Sequence, residues 1–199
     1  MGSVTQDLAI KKARTEAYNG PSIVSFVGEI GSGKSTAAKY LVEHWGFTYL
    51  RFAGPLKDML YALGLSKDQV DGNLKEVPCD ALLGKTPRWA MQSLGTEWGR
   101  DCIGNGFWMG LWKQRAKKIV DSGRCVVVDD CRFENEHYAI QDLGGVQIRI
   151  LRDPLVGAER SPHVSEAFRV PSDLQIPNID TVDFLYENID QVLGIFGAR

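Results

Sequence analysis

A chain of 199 residues that is 44% apolar can bury one well-formed core and leaves little room for a second. Its 23 Lys and Arg nearly balance 25 Asp and Glu, for a net charge of −2, so no global positive field recruits nucleic acid or an anionic membrane. No apolar run approaches the roughly 20 residues of a membrane span, the N-terminus lacks a hydrophobic signal core, and four cysteines form no CxxC pair, so we expect a cytoplasmic protein with reduced thiols.

Residues 1–20 read as an N-terminal extension with a helical pattern, and 21–199 as a single domain. Ser22–Val27, "SIVSFV", is short, β-branched and mostly apolar, as a buried parallel strand should be. It runs into "GEIGSGKST" and a helix, "AAKYLVEHW", that ends before Gly46. Phe47–Ala53 alternates like a second strand, and Pro55 opens a helix that Gly64 closes. Polar residues 65–84, with Gly72, Pro78 and Gly84, read as a loop. In "KTPRWAMQSLGTEWGR", Thr86 and Pro87 predict the N-cap and first residue of a short helix and Gly95 predicts its stop, which sets Arg88 and Gln92 four apart on one face.

A longer helix is predicted over about Phe107–Ser122, then a third strand, Cys125–Asp129, a helix around Asn135–Leu143 and a fourth strand, "VQIRIL". Residues 152–179, rich in proline and charge, read as a lid, and Val182–Asn188 as a fifth strand before a terminal helix. Strands alternating with helices at this spacing predict an α/β fold with a parallel sheet and right-handed crossovers.

"GEIGSGKS", Gly28–Ser35, matches the Walker A phosphate loop, and its place between a buried-type strand and a helix makes the match specific. Gly28, Gly31, Ser32 and Gly33 supply a turn whose backbone N–H groups converge on phosphate, Lys34 reaches the β- and γ-phosphates, Ser35 holds Mg²⁺, and Thr36 is a further ATP-binding candidate. The strand "VVVDD" ends in Asp129, a candidate Mg²⁺ carboxylate, with Asp130 competing for the role. Arg132 follows, either as a fork for phosphate oxygens or as an ion-pair partner of Glu134 or Glu136.

Arg51 and Lys57, around the second strand and its helix, are candidates for the phosphate acceptor, with Arg88 and Arg100 adding charge. Arg152 and Arg160 belong to the lid segment, Arg152 as an ATP contact. Gln92 offers an amide to a base edge, and Trp98 or Trp89 a stacking face, unless these rings are core. His163 reads as a structural or lid-hinge group rather than a catalytic base, and His44 and His137 as ordinary surface or interface groups.

The combination "GEIGSGKST", "FAGPLK", "TPRWAMQSLGTEWGR", "VVVDDCRFENE" and "HVSE" resembles the bacteriophage deoxynucleoside monophosphate kinases, over roughly Ser22–Asn188. The resemblance implies a three-layer P-loop kinase fold whose five-stranded parallel sheet is ordered 2-3-1-4-5, with an acceptor-binding region at about 54–122 and a lid at about 152–179. It implies transfer from ATP, with Mg²⁺, to a deoxynucleoside monophosphate. By position, Lys34 and Ser35 would serve ATP, and Arg88 and Arg132 the acceptor phosphate. Two other readings remain: a kinase acting on hydroxymethylpyrimidines in phage DNA, which the near-neutral charge does not favour, and a regulatory NTPase, which leaves the acceptor-side arginines unexplained. Partners are then small molecules; membranes are not expected, polymeric nucleic acid is disfavoured, and a homodimer is left open.

Overall fold

The run Ile23–Val27, apolar except for Ser25, is buried along its whole length and forms β1, the middle strand of the sheet, as a segment covered on both faces must. The computed structural model describes residues 18–152 and 170–194. Around β1 lie β2 (Thr48–Tyr49), β3 (Val126–Val128), β4 (Val146–Leu151) and β5 (Leu174–Pro177), in the order β2-β3-β1-β4-β5. All four neighbouring pairs are parallel, with Val24 opposite both Val127 and Val146. Sheet type, strand count and strand order therefore agree with the sequence reading.

The identity of the fifth strand does not. Val182–Asn188, read as a strand, is part of helix α7 (Val182–Val192), capped by Thr181, whose hydroxyl accepts from Phe184 N–H at 3.3 Å. Leu185, Ile189 and Leu193 recur every four residues and are buried, which is helical spacing; each contributes about 1.5–3 kcal/mol of apolar burial. The fifth strand is instead "LQIP", inside the segment expected to be a lid. It buries only Ile176, and as the edge strand it tolerates Pro177 without losing an interior ladder bond. Residues 153–169 of that segment, which include Arg160 and His163, lie outside the described residues, as do 1–17 of the N-terminal extension.

Helix α1 (Lys34–Trp45) and α7 cover one face of the sheet, burying Leu41, Trp45, Leu185 and Ile189 against Val24, Phe26, Ile148 and Ile150. Tyr40 joins the two helices, stacking on Tyr186 with ring centroids 4.0 Å apart and donating to Asp190 at 2.8 Å. Helix α6 (Glu134–Gln141) follows β3, and its His137, read as a surface or interface group, is buried. The four cysteines are free thiols.

The chain divides into two compact units. Residues up to Arg51 and from Lys113 onward carry the sheet, and Phe52–Trp112 form the second unit. In the second, α2 (Gly54–Ala62), a short α3 (Lys67–Val70) and α4 (Pro87–Ser93) bury Leu56, Leu60, Leu65, Val70, Ala90 and Trp108. The segment read as loop, 65–84, holds α3, whose Ser66 and Gln69 form a capping box.

Gly95 does not stop α4. The coil continues from Leu94 to Ile103 with π-type bonding and ends at Gly104. Gly95 and Gly99 serve close packing instead: Gly95 O accepts from the Trp108 indole at 2.8 Å, and a Cβ on Gly99 would overlap that same ring. Helix α5 (Phe107–Asp121) follows. Among the described residues no helix is long and apolar enough to cross a membrane.

Candidate nucleotide site and acceptor residues

Each of the five parallel strands delivers a residue to its carboxyl end, where open α/β sheets bind ligands: Gly28 after β1, Arg51 after β2, Asp129 after β3, Arg152 after β4 and Asn178 after β5. The turn between β1 and α1 is tightly determined. Gly28 has φ 147°, and a Cβ there would lie 2.5 Å from the Ile150 carbonyl and 2.7 Å from Ser32 Oγ. Ser32 is buried, its backbone N–H donates to Glu29 O at 3.1 Å, and its hydroxyl has no partner among the described residues. Gly33 is the left-handed N-cap of α1 and offers no side chain to the first turn, so the helix N-terminus is uncapped, as an anion site requires.

Lys34 arches over this turn and donates to Gly28 O at 2.9 Å and Glu29 O at 2.6 Å. Burial lowers its ammonium pKa; the Asp129 carboxylate opposes that shift and Arg132 adds to it. Two side chains hold the loop from outside. Arg152 donates to Gly31 O at 2.6 Å, and Asn178 Nδ2 donates to Ser32 O at 2.8 Å. Thr36 lies half-buried in the first turn of α1.

Ser35 Oγ donates to Asp129 Oδ2 at 2.7 Å, across 94 residues of sequence. Asp129, rather than half-buried Asp130, thus faces the loop serine. A hydroxyl beside a buried carboxylate is an oxygen-only donor set that suits Mg²⁺. No group of three His, Cys, Asp or Glu side chains that could hold a metal occurs among the described residues, so such an ion would complete its coordination from phosphate oxygens and water.

The other Asp129 oxygen pairs with Arg51 Nε at 3.3 Å, and Arg51 also donates to Tyr49 Oη at 2.6 Å. Burial first, and then the hydrogen bond to Asp129, push the Tyr49 hydroxyl above its usual value, so it stays a neutral donor. Arg132 stands exposed beyond β3. The ion pair with Glu136 weighed from sequence does not form: the Glu136 carboxylate accepts from the backbone N–H of Arg132 at 2.7 Å and of Phe133 at 3.2 Å, which shapes the turn. Glu134 accepts from Tyr138, and among the described residues the Arg132 guanidinium takes no hydrogen bond or ion pair.

No protein-family model matches the chain. Among curated proteins it is 35% identical, over 181 residues covering 84% of this chain and 93% of the relative, to a protein of Acanthamoeba polyphaga mimivirus named "Putative deoxynucleotide monophosphate kinase". The chain belongs to the deoxynucleotide monophosphate kinase family. Among solved structures it resembles shikimate kinase from Aquifex aeolicus vf5, with a TM-score of 0.50 and 14% identity over 88% of this chain and 99% of that one, a likeness of fold. A phosphate-loop kinase fold and a kinase relative together make this family member a phosphotransferase that uses a nucleotide.

The remaining candidates of this family member sit in the unit Phe52–Trp112. Thr86 caps α4 as the sequence predicts, accepting from Trp89 N–H at 3.1 Å, and Pro87 is its first residue. Arg88 and Gln92 both fall on that helix. Arg88 Nε pairs with Glu76 at 2.9 Å, and the exposed Gln92 amide has no hydrogen bond among the described residues. Lys57 pairs with Asp71 at 2.6 Å. Trp98 is partly exposed and packs edge-on to Phe107, with ring centroids 5.5 Å apart. Lys85 lies over the Trp89 ring at 5.3 Å.

Two participants, Tyr49 and Asn178, escaped the sequence reading, as did the backbone-binding role of Glu136. Tyr49 looked like one residue of an alternating strand. Asn178 lay in a segment read as lid, and only knowing that "LQIP" is a strand puts it at a sheet end.

Proposed function

We propose that this chain transfers the γ-phosphoryl group of ATP to the 5′-phosphate of a deoxynucleoside monophosphate, giving ADP and the diphosphate. The observation that carries the reading is the junction of Lys34, Ser35 and Asp129 at the uncapped start of α1, in a chain that belongs to this kinase family.

Lys34 exchanges its two loop carbonyls for β- and γ-phosphate oxygens, and Ser35 with Asp129 holds Mg²⁺. The ion held there would supply positive charge that neutralises the phosphates during transfer. Arg152 and Asn178 keep the loop carbonyls turned away from the phosphates, so that backbone N–H groups face the anion. Arg132 and Arg88 hold the acceptor phosphate, with Arg51 and Lys57 adding charge, and Gln92 and Trp98 contact the base. An acceptor oxygen attacks the γ-phosphorus in line, and the bond to the β–γ bridging oxygen breaks. The acceptor is already anionic, so no strong general base is needed; the residues act by positioning and charge neutralisation. In this reading the enzyme feeds DNA synthesis, in the host cytoplasm if it is phage-encoded; the relative named as a deoxynucleotide monophosphate kinase is likewise viral.

The test is a panel. Protein with Mg-ATP is incubated with deoxy- and ribonucleoside monophosphates, with duplex DNA carrying hydroxymethylpyrimidines, and with water alone, and ADP is followed. We expect ADP to appear rapidly with one or more free deoxynucleoside monophosphates and to vanish in Lys34→Ala. Turnover that no monophosphate stimulates defeats the proposal.

A further inference from the structure

We propose that the Arg51–Asp129 ion pair, seated on Tyr49, is a latch that Mg²⁺ displaces, so that arrival of the metal-bound nucleotide frees the Arg51 guanidinium for the acceptor phosphate. The inference rests on the placement of Mg²⁺ at Ser35 and Asp129 given above.

Both oxygens of the Asp129 carboxylate are engaged, Oδ2 with Ser35 Oγ at 2.7 Å and Oδ1 with Arg51 Nε at 3.3 Å. An ion that recruits this carboxylate, directly or through water, must share it with the guanidinium. A divalent cation carries twice the charge of Arg51 and needs oxygen donors, whereas the guanidinium can turn to any other anion. Arg51 and the metal thus compete for one buried carboxylate.

Tyr49 is the seat of the latch. Its hydroxyl accepts from Arg51 Nε at 2.6 Å, and the guanidinium carbon lies 4.5 Å from its ring centroid. Arg51 Nε is thereby shared between the Tyr49 hydroxyl and Asp129 Oδ1, so Tyr49 holds the guanidinium where it meets the carboxylate. Release of Arg51 changes its partner from a carboxylate to a phosphate without moving β2. The consequence is positive coupling: metal-nucleotide binding raises acceptor affinity, and by linkage the acceptor raises metal-nucleotide affinity.

The experiment uses calorimetry on the full chain with β,γ-imido-ATP, once with Mg²⁺ and once with EDTA, and reads the ratio of the two affinities. In Arg51→Gln the gain from Mg²⁺ should rise about three- to fivefold over the unaltered protein, because the metal no longer displaces a partner. Tyr49→Phe keeps the ring and loses the hydroxyl; the gain should rise about twofold. A deoxynucleoside monophosphate should bind more tightly once Mg²⁺ and the analogue are present, and Arg51→Gln should lose that enhancement.

An unchanged or smaller Mg²⁺ gain in folded Arg51→Gln overturns the latch. If that variant does not fold, as judged by its melting curve, Tyr49→Phe decides by the same ratio. Asp129→Asn separates the two layers. A Mg²⁺ gain that survives this substitution refutes the metal placement itself, whereas a gain lost there but unaltered by Arg51 and Tyr49 substitutions refutes the latch alone.

Discussion

Replacing Gly28 and Gly31 separately by alanine probes how the phosphate loop is held. Gly31 has φ 78°, and a Cβ there would meet nothing closer than Arg152 Nη1 at 3.6 Å, an ordinary contact. Gly31→Ala therefore bears only the left-handed backbone penalty, roughly 1–2 kcal/mol. Gly28 has φ 147°, a region essentially confined to glycine, and its added Cβ would sit 2.5 Å from the backbone carbonyl of Ile150. That carbonyl belongs to β4, which is paired on both sides, so it cannot retreat without disturbing the ladder. Backbone strain and overpacking together bring Gly28→Ala to about 3 kcal/mol or more. At about 2–4 °C per kcal/mol for a chain of this size, thermal unfolding should fall by roughly 2–8 °C for Gly31→Ala and clearly further for Gly28→Ala. Equal losses, or a larger loss at Gly31, would refute the reasoning from the Ile150 contact.

The half-buried Lys34 predicts a pH effect. Burial lowers its pKa, so ATP affinity measured against pH should fall with a midpoint below the ordinary lysine value of about 10.4, and Arg132→Gln should move that midpoint upward by removing a nearby positive charge. For stability the sign is the reverse: between the folded and unfolded pKa values the unfolded chain holds the extra proton, so this group's contribution rises with pH across that window, as denaturant midpoints can show. Arg88→Ala should raise the KM for the monophosphate or lower kcat while ATP binding, measured by calorimetry, stays within about twofold, the worth of an exposed ion pair. Ile189→Ala, at a fully buried position between α7 and the sheet, should cost about 2–5 kcal/mol in chemical denaturation without altering the nucleotide KM of the remaining folded protein.

The central strand and the loop after it were legible because they rely on local signals: a short, mostly apolar, β-branched run, then glycines and Gly-Lys-Ser at fixed spacing. Strand order could be read only through family resemblance, since no local pattern tells which strands become neighbours. "FLYEN" misled because a helix with Leu185 and Ile189 on one face also shows short apolar alternation, and "LQIP" hid because an edge strand buries one residue and accepts a proline. Gly95 and Gly99 show another limit: glycine ends a helix where the backbone must turn left-handed, but here the coil runs on through both, and at Gly99 the glycine leaves room for the Trp108 indole. The bond between Ser35 and Asp129 joins residues 94 apart, and the role of Tyr49 follows only from that closure. Arg132 lies beyond β3 as read, and the alternative to its phosphate role, an ion pair with Glu134 or Glu136, does not form: Glu136 is taken by two backbone N–H groups and Glu134 by Tyr138.

The most direct measurement follows the label of γ-³²P-ATP, with Mg²⁺ and each deoxynucleoside monophosphate in turn. The account predicts label in the corresponding deoxynucleoside diphosphate, with little in inorganic phosphate and none of it dependent on added DNA. Label recovered only as inorganic phosphate, or only on DNA bearing modified pyrimidines, would contradict it.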